Sequence, residues 1–250
     1  MQRNKPWLTS SIGIAAACAF LLPAGLQAVG CGQIKPDSAD AVAAAPENHK
    51  VILENDTVRV IEATVPLHSR EIPHTHFWPS VFFEQTSGLH EPWKTVNIRW
   101  SAGGPAKGYA SSDRDRHNLL IEMKNVDCQP APPVELPASD PVQMRDPNIS
   151  VVLENAYVRV LSVHVPPGEK EPWHTHTWPA VVVYFRLPPS QRLTPDGKKT
   201  PRAELKEMQV TYDASSQPLH SVENLGNVIY QAYRVEIKPT TKAAMATPFQ

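Results

Sequence analysis

The chain has 250 residues and a formal net charge of −1 at pH 7. That length suffices for two domains of about 100 residues with cores of their own, and the balanced charge argues against a nucleic-acid-binding surface. Proline, with 26 residues, is about twice as frequent as in an average protein, which disfavours long helices and favours short strands joined by rigid turns.

The first thirty residues have the pattern of an export signal. Arg3 and Lys5 form a short basic region, and an apolar core covers residues 12–22. Because Pro23 ends the apolar run early, a removed signal peptide is favoured over an anchoring helix. No later apolar run reaches 18 residues, which excludes a multi-span membrane protein.

Two processing sites compete at the end of this segment. A cut after Ala28 gives a soluble periplasmic or secreted protein that begins at Val29. Alternatively, residues 28–31 read Ala-Val-Gly-Cys, which resembles a lipoprotein box and makes Cys31 the site of a lipid anchor to the membrane. Lipidation leaves Cys128 as a lone thiol, whereas the first cut leaves Cys31 and Cys128 able to form a disulfide.

An internal repeat with an offset of one hundred residues organises the rest of the chain. Residues 51–81 and 151–181 share sixteen of thirty-one positions without a gap, where chance gives about two. Two homologous domains follow from this duplication. The predicted boundaries are a signal peptide at 1–30, a linker at 31–50, an N-terminal domain at 51–128, a proline-rich linker at 129–147, a C-terminal domain at 148–240 and a tail at 241–250.

Each copy has the pattern of short strands. Residues 58–65 and 158–165 are rich in β-branched side chains that roughly alternate with polar ones, and each segment ends at a proline. In the second copy, residues 194–198 form a strong turn signal around Asp196 and Gly197. This spacing predicts an all-β fold with a sandwich or small barrel in each half.

His174 and His176 are the most informative residues of the second copy. Residues i and i+2 of a strand point to the same face, so the two imidazoles should project together. Two neutral imidazoles side by side are well suited to bind a divalent metal. A hydrogen-bonded polar pair is the alternative. No cysteine lies near the pair in sequence, so thiolate ligation is not expected.

The surrounding motifs resemble those of the cupin superfamily. The pattern G-x5-H-x-H runs from Gly168 to His176, and P-x-H-x3-N runs from Pro218 to Asn224. The resemblance covers residues 50–240 and is greatest to bacterial cupins with an H-T-H-x-W-P motif. It implies a bicupin, with two tandem jelly-roll (double-stranded β-helix) barrels. It also implies that one divalent transition metal, such as Fe, Zn, Mn or Ni, binds to His174, His176 and His220.

The glutamate that the family places after the histidine pair is missing here. Ala180 and Val181 occupy that window, so the expected centre has three neutral imidazoles and open positions for water or substrate. That ligand set resembles the three-histidine iron centre of cupin thiol dioxygenases. Loss of a carboxylate ligand should weaken the binding of hard cations such as Mn²⁺ relative to softer ones.

Four further residues are expected around this site. Trp178, Ala180 and Tyr184 share the parity of the histidine pair and should line the barrel interior, unless Pro179 introduces a bulge. Trp178 either stacks on a planar ligand or simply packs. Asn224 should orient His220 or its loop.

No carboxylate general base is evident near the predicted site. Glu171 and Glu154 are predicted to be solvated or turn residues, which leaves Tyr184 or a bound water to handle protons.

The first copy keeps the pair His74 and His76 but is predicted to have a degenerate site. Aligning residues 105–107 with residues 218–220 puts Lys107 at the position of the third histidine. A protonated lysine repels a cation instead of binding it. We therefore expect this site to be metal-free or weak, in a barrel whose role is structural.

Two functions fit these features. The first is an exported metal-dependent enzyme, of the oxygenase type if the metal is iron. The second is a non-enzymatic, metal-free cupin of the cell envelope that binds a small molecule or has a structural role. In both cases the expected partner is a small organic molecule and not nucleic acid. The sequence is compatible with either a monomer or a homodimer.

Overall fold

A computed structural model describes residues 35–85, 96–111, 113–124, 130–205 and 208–240. The predicted signal segment, both of its processing sites, Cys128 and the tail at 241–250 lie outside the described residues. Within those ranges, no helix is long and apolar enough to cross a membrane.

Both halves of the described chain consist of antiparallel strands, preceded by one short helix, α1 (Ala41–Ala44). The strands of the first half are β1 (His49–Glu54), β2 (Val58–Val65), β3 (His74–His76), β4 (Ser80–Gln85), β5 (Val96–Ser101), β6 (Gly104–Ala106) and β7 (Arg116–Met123). Those of the second half are β8 (Ile149–Glu154), β9 (Val158–Val165), β10 (His174–His176), β11 (Ala180–Arg186), β12 (Ser190–Leu193), β13 (Lys199–Arg202), β14 (Gln209–Asp213), β15 (Gln217–Asn224) and β16 (Tyr230–Ile237).

The large sheets of the two halves have the same strand order. The first half has a five-stranded sheet β1-β2-β7-β4-β5 and a small sheet β3-β6. The second has a five-stranded sheet β8-β9-β16-β11-β14 and a second sheet β10-β15-β12-β13. The predicted turn at 194–198 joins β12 to β13, and Gly197 has a φ of +83°, a conformation that favours glycine. The predicted all-β fold of two tandem jelly-roll barrels is confirmed.

A shared hydrophobic core joins the two barrels. Apolar side chains from β2, β4 and β7 cluster with apolar side chains from β9, β11 and β16. The ring centroid of Phe83 lies 5.4 Å from that of Tyr233, and Trp100 stacks on Tyr157 at 5.9 Å. The barrels therefore pack through one face of each large sheet, and the opposite face of each sheet encloses a separate site.

Parts of both predicted linkers belong to the barrels. Asp40 forms a buried ion pair with Arg59, and Asp140 forms the same pair with Arg159, each at 2.7 Å. The folded repeat thus reaches back to residues 40 and 140, earlier than the boundaries drawn at 51 and 148. Polar residues flanking a repeat carry no hydrophobic pattern, so the alternation of side chains did not reveal them.

Candidate metal centres

His174, His176 and His220 meet in the interior of the second barrel. Strand β10 pairs with β15, and His174 lies directly opposite His220. The three ring centroids are 4.5, 4.9 and 5.6 Å apart. One ligand nitrogen from each buried ring lies within 4.8 Å of the other two. The structure thus brings together the three histidines that the sequence singled out from two separated segments.

The Nδ1 atom of each of these rings faces an oxygen. Nδ1 of His174 and of His220 lies 2.9 and 2.8 Å from the backbone carbonyl two residues earlier, and Nδ1 of His176 lies 2.9 Å from Oε1 of Glu236. Carbonyl and carboxylate oxygens only accept, so Nδ1 carries the proton of each neutral ring. Each Nε2 therefore offers a lone pair, which is the donor set that a divalent transition metal needs.

Burial keeps these imidazoles neutral. It lowers the pKa of His174, and burial together with the nearby Arg234 lowers the pKa of His176. Burial and the neighbouring His174 lower the pKa of His220 to about 2. Metal binding requires deprotonated ligands, and these three are deprotonated at neutral pH.

A chain of buried charges holds His176 in position. Glu236 accepts from His176 with one oxygen and from Arg159 with the other, at 2.6 Å. Arg159 in turn donates two hydrogen bonds to Asp140, at 3.1 and 2.7 Å. A carboxylate behind a ligating histidine fixes the tautomer and the orientation of the ring.

Glu171 lies inside the site, which corrects the prediction of a solvated turn residue. Its side chain is buried and lines the cavity beside the three histidines. Burial and the neighbouring Asp146 raise its pKa to about 8, so it is mainly a neutral acid at pH 7. The internal repeat held a signal for this residue. Residues 67–73 and 167–173 differ at every position except one, where both copies have a glutamate, Glu71 and Glu171.

Of the other predicted pocket residues, only Tyr184 lines the cavity. Trp178 packs against Arg159 instead, with the guanidinium carbon 4.9 Å from the ring centroid. Ala180 is buried opposite Glu236 in the large sheet. Alternation of side chains holds only within one strand, and these two residues follow β10 at the point where the chain passes to the other sheet.

Asn224 holds the loop that follows β15. Its side-chain amide donates to the carbonyls of Val165 and Val228, and its oxygen accepts from the backbone of Gly226. Asn224 does not line the cavity. Of its two predicted roles, the orientation of the loop is the one that these contacts support.

Three arginines surround the cavity of the second barrel, which has a volume of about 70 Å³. Arg234 is paired with Asp213 at 2.6 Å. Arg192 contacts the neutral Gln217 at 2.8 Å, and Arg202 contacts the hydroxyl of Tyr184. Burial and the neighbouring Arg202 lower the pKa of Arg192. Among the described residues, neither Arg192 nor Arg202 has a carboxylate within ion-pair distance.

The first barrel contains a second group of three buried imidazoles, His49, His74 and His76. Their ring centroids are 4.7, 4.9 and 5.5 Å apart, and their ligand nitrogens lie within 4.8 Å of one another. His49 comes from β1 and was missed because it falls in the predicted linker. Ile149 stands at the corresponding position of the second half, so the repeat gave no hint of it.

Lys107 does not occupy the position in the first barrel that corresponds to His220, which was the position predicted for it. Ala106 is the residue that pairs with His74 in the first barrel, as His220 pairs with His174 in the second. A register shift in β15, between the partners of His174 and His176, adds one residue to the second copy. An alignment without a gap therefore put Lys107 one position too far.

Comparisons with known proteins give likenesses of fold only. No family model and no curated protein matches the chain. A cupin domain from Bordetella pertussis Tohama I is 26% identical, with a TM-score of 0.33, over 36% of this chain and 92% of that one. AerE from Microcystis aeruginosa is 11% identical, with a TM-score of 0.41, over 77% and 98% of the two chains. Oxalate decarboxylase from Bacillus subtilis is 11% identical, with a TM-score of 0.43, over 73% and 68%.

Proposed function

Since the chain is a tandem cupin in fold, we propose that its C-terminal barrel binds one divalent transition metal through His174, His176 and His220 and uses it to bind a small organic anion. One observation carries the proposal. All three Nδ1 atoms face oxygen acceptors, which leaves three unprotonated Nε2 atoms around one point. Three nitrogen donors without sulfur suit Fe, Zn, Mn or Ni.

The residues around the metal position can support chemistry as well as binding. A metal held there supplies Lewis acidity to an oxygen atom of a bound ligand. Glu171, a neutral acid at pH 7, can donate a proton inside the cavity and take it back. Tyr184 lines the same cavity and offers a second hydroxyl donor. The site therefore has an acid–base group that the sequence alone did not reveal.

The charge around the cavity indicates an anionic ligand. Arg192 and Arg202 both line the cavity, and neither has an ion pair among the described residues. Glu171 is neutral at pH 7 and so does not offset them, and a bound metal adds further positive charge. Arginine binds carboxylates through its planar fork of donors. The small volume, about 70 Å³, favours an anion with few non-hydrogen atoms.

Elemental analysis of the purified full chain tests the metal site. We expect His176→Ala and His220→Ala each to lose one metal per chain, because each removes one of three ligands. His164→Ala is the matched control, since His164 is an exposed histidine of the same barrel. If metal-free wild-type protein fails to take up Fe, Zn, Mn or Ni, the metal proposal is wrong and a metal-free, ligand-binding barrel is favoured.

Titration with formate, acetate, oxalate and malonate, followed by calorimetry, tests the ligand class. We expect Arg192→Met and Arg202→Met each to weaken binding of the best anion about 10-fold or more, as loss of a charge-assisted hydrogen bond predicts. Arg186→Met is the control, because Arg186 is exposed on β11. Equal affinity in all three variants would contradict recognition of the anion by this arginine pair.

We also propose that the protein is exported. The basic, apolar and small-residue pattern of residues 1–31 supports this. Mass spectrometry of the mature N-terminus tests it: a start at Val29 indicates a soluble periplasmic or secreted protein, and a lipidated Cys31 indicates a membrane anchor. An intact N-terminus in protein from the native host would contradict export.

A further inference from the structure

We propose that the N-terminal barrel is a second divalent-metal site, formed by His49, His74 and His76 with Glu71 as a fourth ligand. This reverses the expectation that the first site is degenerate. It also differs from the cupin motif pattern, because His49 lies on β1 and Glu71 precedes the histidine pair instead of following it.

The Nδ1 atoms of this group are engaged as in the second barrel. Nδ1 of His49 lies 3.2 Å from the carbonyl oxygen of Ala45. Nδ1 of His74 lies 2.9 Å from the carbonyl oxygen of Ile72, and Nδ1 of His76 lies 3.1 Å from Oε1 of Glu122. These oxygens only accept, so Nδ1 carries a proton in His74 and in His76, and the neutral form of each of these two rings presents an unprotonated Nε2. His49 has an oxygen near both ring nitrogens, and with its proton on Nδ1 it also presents Nε2 as a ligand.

The Nε2 atoms then meet without a proton between them. Nε2 of His74 lies 3.1 Å from Nε2 of His76, which is hydrogen-bond distance, yet neither atom of the neutral rings has a proton to donate. Two lone pairs that face each other in a buried site repel. A divalent cation that accepts both lone pairs removes this repulsion and satisfies the third imidazole as well.

Glu71 adds an oxygen donor to the three nitrogens. Its Oε1 lies 3.3 Å from Nε2 of His49, and its side chain is buried in the same cavity. Burial disfavours the ionised form of this carboxyl group, whereas ligation of a metal stabilises it. Three imidazoles and one carboxylate form a mixed N₃O set that suits Zn, Fe, Mn or Ni.

The two barrels obtain their third histidine from different strands. In the first barrel it is His49 on β1, and Ala106 stands at the position of His220; in the second it is His220 on β15, and Ile149 stands at the position of His49. The fold therefore already accommodates isoleucine at the position of His49, in the second barrel, and alanine at the position of His220, in the first. His49→Ile and His220→Ala are therefore suitable variants, because each removes a ligand without introducing an unprecedented residue at that position.

Metal stoichiometry of the full chain after loading with Co²⁺ tests the second site. We expect about two ions per chain in the wild type and about one in each of His49→Ile and His220→Ala, because each variant empties one site; their combination should bind none. In His220→Ala, which keeps only the first site, X-ray absorption should report three nitrogen ligands and a carboxylate oxygen. Glu71→Gln in that background should weaken Co²⁺ binding by about 10-fold or more.

His68→Asn is the matched control, since His68 is an exposed histidine of the same barrel with a φ of 61° that asparagine tolerates. One ion in the wild type, lost in His220→Ala and kept in His49→Ile, would overturn the second site and leave the proposed C-terminal centre intact. One ion lost only in His49→Ile would support the second site and overturn the C-terminal one. A Glu71→Gln variant with unchanged affinity would remove Glu71 from the ligand set.

Discussion

Glu171 shows how the cavity sets the chemistry of a single side chain. In the folded protein, burial and the neighbouring Asp146 raise the pKa of Glu171 from 4.5 to about 8. In the unfolded chain the same group ionises near its ordinary value. The folded state therefore holds this proton more tightly than the unfolded state, and the metal-free protein should lose stability as pH rises between these two values.

Glu171→Gln should remove that dependence, because glutamine keeps the shape and does not ionise. We expect the variant and the metal-free wild type to differ in unfolding free energy by a constant amount below about pH 4.5. Between pH 5 and 8 the unfolding free energy of the wild type should fall relative to that of the variant, by up to about 4 kcal/mol. Urea denaturation at several pH values measures this, and a pH-independent difference would show that Glu171 ionises as readily in the folded protein as in the unfolded chain.

The buried ion pairs behind each histidine triad should matter for both stability and metal binding. Asp140→Asn leaves Arg159 with one carboxylate partner instead of two. Loss of one partner in a buried charge pair costs about 3–5 kcal/mol. Because Arg159 also anchors the Glu236 that orients His176, metal affinity at the proposed C-terminal site should fall as well.

Asp40→Asn is the matched control for Asp140→Asn, since the Asp40–Arg59 pair has the same distance in the other barrel. Its unfolding free energy should fall by a similar amount, but metal affinity at the C-terminal site should stay unchanged. Denaturant titration and metal competition with a chelator separate these two effects. Equal losses of C-terminal affinity in both variants would mean that the ion pairs act only through global stability.

Among single residues, sequence reasoning found histidines that share one strand and missed groups that meet only in space. His174 and His176 follow from alternation, and His220 follows from the family motif. His49 and Glu71 come from different segments and contact only after β1 and β3 have folded into one barrel. Arg192 and Arg202 lie on a hairpin with no described counterpart in the first half, so the repeat could not indicate their role.

At the level of strands, a single inserted residue decides which side chain reaches the site. Strand β15 has a register shift between its pairings with His174 and His176, whereas β6 pairs with β3 without one. A one-residue shift moves every later side chain to the other face of a strand. Sequence identity between the copies fades before β6, so the shift could not be seen without the hydrogen-bonded pairs.

One face of strand β4 packs against the other barrel, and its opposite face lines the interior of its own barrel. Phe83 packs on Tyr233 and Phe185 of the other half, and Phe82 faces the first cavity. Phe83→Ala should lower the unfolding free energy by about 3–5 kcal/mol, as for other large-to-small changes in a core. It should also split the calorimetric transition, because the ring of Phe83 packs across the boundary between the barrels.

Phe82→Ala is the control for that experiment, since it removes the neighbouring aromatic ring, which packs within one barrel. We expect a single, less stable transition for Phe82→Ala and two overlapping transitions for Phe83→Ala. A single sharp transition in both variants would show that the rest of the shared core is enough to couple the two barrels.

For the whole molecule, the hundred-residue repeat already implied two similar β-domains in tandem, because a gapless match of that length leaves no other reading. It did not show how tightly the halves depend on each other. Strands β2 and β9 carry apolar residues on both faces, because their alternation with polar residues is only partial. Only the packing shows that the faces directed away from the sites cover one another. In each barrel one face of the large sheet encloses the site, so the second apolar face needs a partner.

The second half alone should therefore not reach a native monomeric state. Expressed as residues 130–240, it would expose the apolar face formed by Val158, Val160, Val181, Tyr233 and Val235, all buried in the full chain. Exposed apolar patches of this kind drive association, so we expect oligomers in size-exclusion chromatography and binding of a hydrophobic dye. Coexpression with residues 35–129 should restore a soluble complex. A monomeric, cooperatively melting second half would show instead that each barrel is stable by itself, and that the shared core only tethers two independent domains.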